Sequence, residues 1–254
     1  MRAMKAAARV WDTQIGVAYT TEGIHQEQIL VIADGDIVTD NQVLGRDYKV
    51  PCIQYFHRDT APGLKEAGAD LRNMLEGLNK ENPRARIILI AYSKAVIATF
   101  YAFQENKPEW LEIITGGAPL RGTELCDWES LKKLPHRLPN WVTNRIFRLH
   151  NMKPVEKDLV PNSEIIRGMD IERLSQMVSW HFITVMFGTP RTFKGKTIDR
   201  FTSWLWKGHL VDGVLSKETQ YMEEATKTTC LCGPHSEVIS KIVKEVVEYY
   251  CLSV

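Results

Sequence analysis

The chain lacks long apolar runs, an excess of either charge and any cysteine framework. Its 32 Lys and Arg stand against 31 Asp and Glu, for a net charge of +1 over 254 residues. A general nucleic-acid binder normally carries a basic excess, so no nucleic-acid partner is expected. No apolar run approaches the roughly 20 residues of a membrane-crossing helix. The opening "MRAMKAAARVWDTQ" has basic residues, but its apolar stretch is too short and too soon interrupted for a signal peptide. Five cysteines (Cys52, Cys126, Cys230, Cys232 and Cys251) form an odd, scattered set. Cys230 and Cys232 read C-x-C, and no second pair completes a zinc site. Buried free thiols in a reducing, cytoplasmic setting are therefore expected. Internal repeats and low-complexity segments are absent as well.

What is present is a core-forming composition, 44% hydrophobic, in a chain long enough to bury a full core. "EQILVIADGDIV" predicts a buried strand from Gln28 to Ala33, with a loop at Asp34-Gly35. "VPCIQYF" predicts a second. From Leu64 to Leu78, Leu64, Ala67, Leu71, Met74, Leu75 and Leu78 recur at helical spacing, and Asn82-Pro83 ends that helix. "ARIILIAY" is a continuous apolar strand, as expected where helices cover both faces of a parallel sheet. Helix resumes from Ala95 to Gln104, and "WLEIIT" is another strand. Alternation of this kind implies right-handed parallel crossovers and an α/β domain. Between Gly122 and Ser179 it fails, with Pro135, Pro139, Pro154 and Pro161 among short amphipathic pieces. Strand character returns at "WHFITVMFG", and the chain ends in the helix "SEVISKIVKEVVEYY". Residues 1–254 thus read as one domain, with 123–178 as an inserted cap or, alternatively, a few helices packed on the sheet without gating.

One junction stands out. In "IILIAYSKAVIATF", Ile87 to Phe100, a strand passes into a helix with no turn signal, and Ser93 sits at the corner between Ala91 and Ala95. A residue there lies at the sheet's carboxyl edge, where open α/β sheets form their sites. Small neighbours let strand and helix approach closely. The helix N-terminus offers backbone N–H groups to an oxyanion, that of Lys94 first. The other reading is a serine that caps a helix, and "AYSKA" alone leaves both open.

Ser93 in "AYSKA" resembles the nucleophile elbow G-x-S-x-G of the α/β-hydrolase superfamily, with alanine at both glycine positions. "TGGAPLRGTEL" is similar to the G-T-P-H-x-G-[ST] segment of lipases in that superfamily, through Pro119, Gly122 and Thr123. "DLVPNSEIIRGM" resembles their L-x-P-G-S-x-x-L-x-x-L stretch, with Asn162 in the glycine position. "HLVDGVLSKETQ" resembles their acid loop and "GPHSEVI" their histidine loop. The matches span roughly residues 28 to 245, in the order Ser, Asp, His.

The resemblance implies an α/β-hydrolase fold, a mostly parallel sheet covered by helices with an inserted helical cap. It also implies a lipase- or esterase-like serine hydrolase that needs no metal or organic cofactor. Ser93 would be the nucleophile, His235 the base and Asp212 the acid that orients it. Taken by themselves, Asp212-Gly213 also reads as a turn and His235 as a helix-start residue. His181 and His209 are the weaker bases, and Asp34, Asp36 and Glu218 the fallback acids. Backbone N–H groups of Lys94 and Asp36 would form the oxyanion hole. Gly35, Tyr92, Trp141 and Phe147 are expected to bind an ester or lipid substrate. Where the lipases carry H-G, this chain has Asp34-Gly35-Asp36. Two rivals follow: an acyltransferase on the same triad, and a noncatalytic lipid- or protein-binding member. Lys132, Lys133, Arg137, Arg145 and Arg148 lie among Trp141, Ile146 and Phe147. They read as a solvated basic face or as contact with an anionic lipid surface or acidic substrate group.

Overall fold

The computed structural model describes residues 8–21, 27–34, 49–58, 60–123, 154–185, 215, 217–223, 225–233 and 235–252. Among them, strands β1 (Ala8–Asp12), β2 (Gly16–Thr21), β3 (Gln28–Asp34), β4 (Cys52–His57), β5 (Arg86–Tyr92), β6 (Leu111–Gly116), β7 (Val178–Val185) and β8 (Thr228–Cys232) form one sheet. Its order is β1-β2-β4-β3-β5-β6-β7-β8. β2 runs antiparallel to β1 and β4, and every pairing from β4 to β8 is parallel. The expected mostly parallel sheet is present, with an antiparallel hairpin added at one edge.

Apolar side chains leave both faces of the central strands. Ile29, Val31, Ile87 and Leu89 join one cluster with helices α1 (Leu64–Glu81) and α2 (Lys94–Phe103). Leu30, Ile32, Ile88 and Ile90 join a second with the last helix, His235–Tyr249, named α7 below. Central strands buried on both faces must be apolar at every buried position, hence the unbroken "IILIAY" after the exposed Arg86. α1 buries Leu64, Ala67, Leu71, Met74 and Leu75, the face its spacing predicts. It packs so closely on α2 that a Cβ on Gly68 would lie 2.3 Å from the Ala98 carbonyl oxygen.

Short helices α3 (Pro154–Lys157), α4 (Glu164–Arg167) and α5 (Ile171–Met177) precede β7, and α6 (Lys217–Gln220) precedes β8. Val155, Leu159, Ile165, Leu174 and Met177 belong to the same cluster as α1 and α2. The Asp158 carboxylate accepts from the Leu64 N–H at 2.7 Å, and the Tyr101 hydroxyl donates to the Ile165 carbonyl at 2.6 Å. Residues 154–177 are thus built onto the main body, and residues 124–153 of the expected cap lie outside the described residues. Two segments matched separately in the sequence meet here. The Thr123 N–H donates to the Leu159 carbonyl at 2.8 Å, and Gly122 lies against Pro161. Asn162 has φ 65°, the left-handed conformation that a glycine at this motif position would serve and asparagine tolerates.

The thiols depart from expectation. Cys52 is buried, but Cys230, Cys232 and Cys251 are exposed. β8 is the last strand of the sheet among the described residues, and its residues alternate between exposed and half-buried, so its cysteines on one face meet solvent.

Candidate active site

Ser93 joins β5 to α2 with φ 57° and ψ −132°. Positive φ is rare for a residue with a side chain and costs on the order of 1–3 kcal/mol. The corner is held from both sides. The Ser93 N–H donates to the Gly116 carbonyl at 3.0 Å, continuing the β5–β6 ladder. The Val96 N–H donates to the Ser93 carbonyl at 3.1 Å, opening the helix. Ala91 and Ala95 are fully buried, so larger side chains would not fit where strand and helix converge.

The Ser93 side chain makes no capping bond to α2. Its Oγ lies 2.9 Å from Nε2 of His235 instead. The hydroxyl is thus turned to an imidazole and not to the helix it precedes. His235 opens α7, whose Val238, Ile239, Ile242, Val243 and Val246 are fully buried against the sheet. The apolar face of α7 therefore anchors the histidine, and both residues are half-buried and open enough to be reached.

Tyr92, expected among the substrate-binding residues, faces His235. Its hydroxyl donates to the His235 carbonyl at 2.6 Å, and the two rings lie 4.9 Å apart between centroids. Lys94, expected to offer its backbone N–H to an oxyanion, begins α2, and its side chain is buried at 8% exposure. Asp212, Asp36, Gly35, Trp141, Phe147 and His209 lie outside the described residues.

The weaker candidates have other partners. The Thr115 hydroxyl donates to Nδ1 of His181 at 2.8 Å, and Nε2–H donates to the Gln220 carbonyl at 2.7 Å. With both nitrogens engaged and burial holding its pKa down to about 4, His181 is a structural histidine. The Gln220 side chain in turn clasps the Thr184 backbone and hydroxyl. Sequence reasoning missed His57, at the carboxyl end of β4 and 3% exposed. Among the described residues neither ring nitrogen has a hydrogen-bond partner. Burial, and then the Lys94 charge, push its pKa down to about 3. Among the described residues no group of three or more His, Cys, Asp or Glu is placed to hold a metal, and no helix is long and apolar enough to cross a membrane.

No family model matches the sequence, and no curated protein matches it significantly. Solved structures do match. The mature lipase BlEst2 of Bacillus licheniformis aligns over 96% of this chain and 100% of its own, with TM-score 0.60 and 14% identity. An α/β-hydrolase-fold protein from Chitinophaga pinensis aligns over 96% of each chain, with TM-score 0.58 and 9% identity. The chain has the α/β-hydrolase fold. Est1E of Butyrivibrio proteoclasticus shares it too, over 97% of this chain and 98% of its own, with TM-score 0.55 and 11% identity. Within this fold, Ser93 follows the fifth strand and His235 the eighth, and Asp212 falls in the sequence between the seventh and eighth.

Proposed function

We propose that the protein is a serine carboxylester hydrolase of lipase or esterase type. The observation that carries this reading is the 2.9 Å approach of His235 Nε2 to the Oγ of a serine held at positive φ. An unassisted serine hydroxyl is a poor nucleophile, and a neutral imidazole at this distance takes its proton as the oxygen attacks. Attack on the ester carbonyl breaks its π bond, and collapse expels the alcohol, which takes the proton from His235. Water then adds to the acyl-enzyme, giving its proton to His235, and Ser93 departs with that proton. Asp212 is the proposed acid, and the backbone N–H groups of Lys94 and Asp36 are the proposed oxyanion donors. The residues proposed to line the acyl site are Gly35, Trp141 and Phe147. The basic stretch from Lys132 to Arg148 is proposed to meet an anionic lipid surface. Free thiols are consistent with work in a reducing compartment such as the cytoplasm.

A p-nitrophenyl ester series of increasing acyl length tests this. Wild type should turn esters over, and Ser93→Ala and His235→Ala should each lose at least about 10³-fold in kcat, since nucleophile and base act as a unit. Asp212→Asn should lose less than either. Ester binding without turnover in wild type would support the noncatalytic rival, and faster product formation with an added acceptor alcohol the acyltransferase.

A further inference from the structure

Tyr92 is the residue before the serine, yet it is 2% exposed and its contacts run to the histidine. Its phenol donates its proton to the His235 backbone carbonyl at 2.6 Å. Its ring lies against the imidazole at 4.9 Å, with 34° between planes. On another side stands Gly117, at φ 54°, where a Cβ would come within 2.7 Å of the Tyr92 ring. The phenol is therefore clamped between β6's end and the histidine.

β5 and β8 are not neighbours in the sheet, for β6 and β7 lie between them. Serine and histidine thus arrive on elements with no shared ladder, and their separation must be fixed by side chains. Tyr92 joins the two directly. Its backbone continues the strand that carries Ser93, its hydroxyl holds the backbone of His235, and its ring supports one face of the imidazole. Any drift of His235 away from Ser93 breaks a partly buried hydrogen bond and opens a ring contact together. Misplacement of a reacting group by about 1 Å can cost on the order of 100-fold in rate.

We infer that Tyr92 is a positioning residue, which sets the His235 imidazole at bonding distance from the Ser93 hydroxyl. It acts through His235, and the inference rests on the Ser93–His235 reading above. Two variants separate its two contacts. Tyr92→Phe keeps the ring and removes the hydrogen bond, and Tyr92→Leu removes both. With rates counted per site titrated by a fluorophosphonate, Tyr92→Phe should lower kcat about tenfold and Tyr92→Leu about 100-fold. KM should stay within about twofold, and the rate of fluorophosphonate inactivation should fall in parallel with kcat.

A second readout needs no turnover. The imidazole ¹⁵N signals of His235 should shift when Ser93→Ala removes the hydroxyl, and that shift should shrink in a Tyr92→Phe background. If wild type hydrolyses nothing while this coupling appears, the positioning role stands and the hydrolase reading fails. If Tyr92→Phe loses only thermal stability, with kcat per titrated site and the ¹⁵N coupling unchanged, Tyr92 is a packing residue and the inference is wrong.

Discussion

His235 Nε2 and Ser93 Oγ lie 2.9 Å apart although 142 residues separate them in the chain. Their strands, β8 and β5, are three places apart in the sheet, about 14 Å at ordinary strand spacing. The histidine closes that gap because α7 packs across the sheet. Ile242 reaches so near Gly116, at the end of β6, that a Cβ there would lie 2.4 Å from its Cδ1. The serine needs no such reach, since its own corner at φ 57° points its hydroxyl off the carboxyl edge.

The contact of α1 with α2 holds the helix that starts at the nucleophile. A glycine inside a helix ordinarily costs about 0.5–1 kcal/mol against alanine. At Gly68 the added Cβ would meet the Ala98 carbonyl oxygen at 2.3 Å, and backbone cannot swing aside. Overpacking of this kind costs about 1–3 kcal/mol, which exceeds the gain in helix propensity. Gly68→Ala should therefore lower Tm by several degrees in a thermal melt. An unchanged or higher Tm would show that the two helices separate freely.

Two buried histidines should respond oppositely to the same substitution. The pKa of His57 falls from 6.5 to about 3 and that of His181 to about 4, burial being the larger cause in each. Between those values and 6.5 the unfolded chain binds a proton that the native chain does not. Stability should then drop as pH falls from about 6.5 toward 4, by on the order of 1.4 kcal/mol per unit for each imidazole. Among the described residues His57 has no hydrogen-bond partner on either nitrogen, so His57→Phe should remove part of that slope and keep or raise stability at pH 7. His181→Phe strands the Thr115 hydroxyl and the Gln220 carbonyl, and should destabilise by about 1–3 kcal/mol or more at pH 7. Urea midpoints across pH 4–7 measure both; equal effects of the two substitutions at pH 7 would contradict the assignment of partners.

The central sheet and α1 were legible because their signals are local. The apolar spacing from Leu64 to Leu75 is the face α1 buries, and "RIILIAY" is buried at all positions but its first. The corner at Ser93 and the place of His235 were legible too, through the order of matched segments. The thiols of β8 were not, because a strand with one solvent face carries no continuous apolar run. The β1–β2 hairpin left little trace for the same reason, with Arg9 and Val10 exposed on its outer strand. The contact of Tyr92 with His235 left no trace in the sequence. The bond from its hydroxyl to the His235 carbonyl spans 143 residues, and no pattern within "AYSKA" encodes it. His57 resembles any strand-end histidine until the fold shows what fails to reach it.

The central claim is that Ser93 is the activated nucleophile, and intact mass after treatment with a fluorophosphonate tests it most directly. Wild type should gain one adduct, peptide mapping should place it on Ser93, and Ser93→Ala should gain none. His235→Ala should label at least about 100-fold more slowly, since the base is lost while the serine remains. An adduct on another serine with Ser93 unmodified, or no adduct on a folded wild-type protein, would contradict the account.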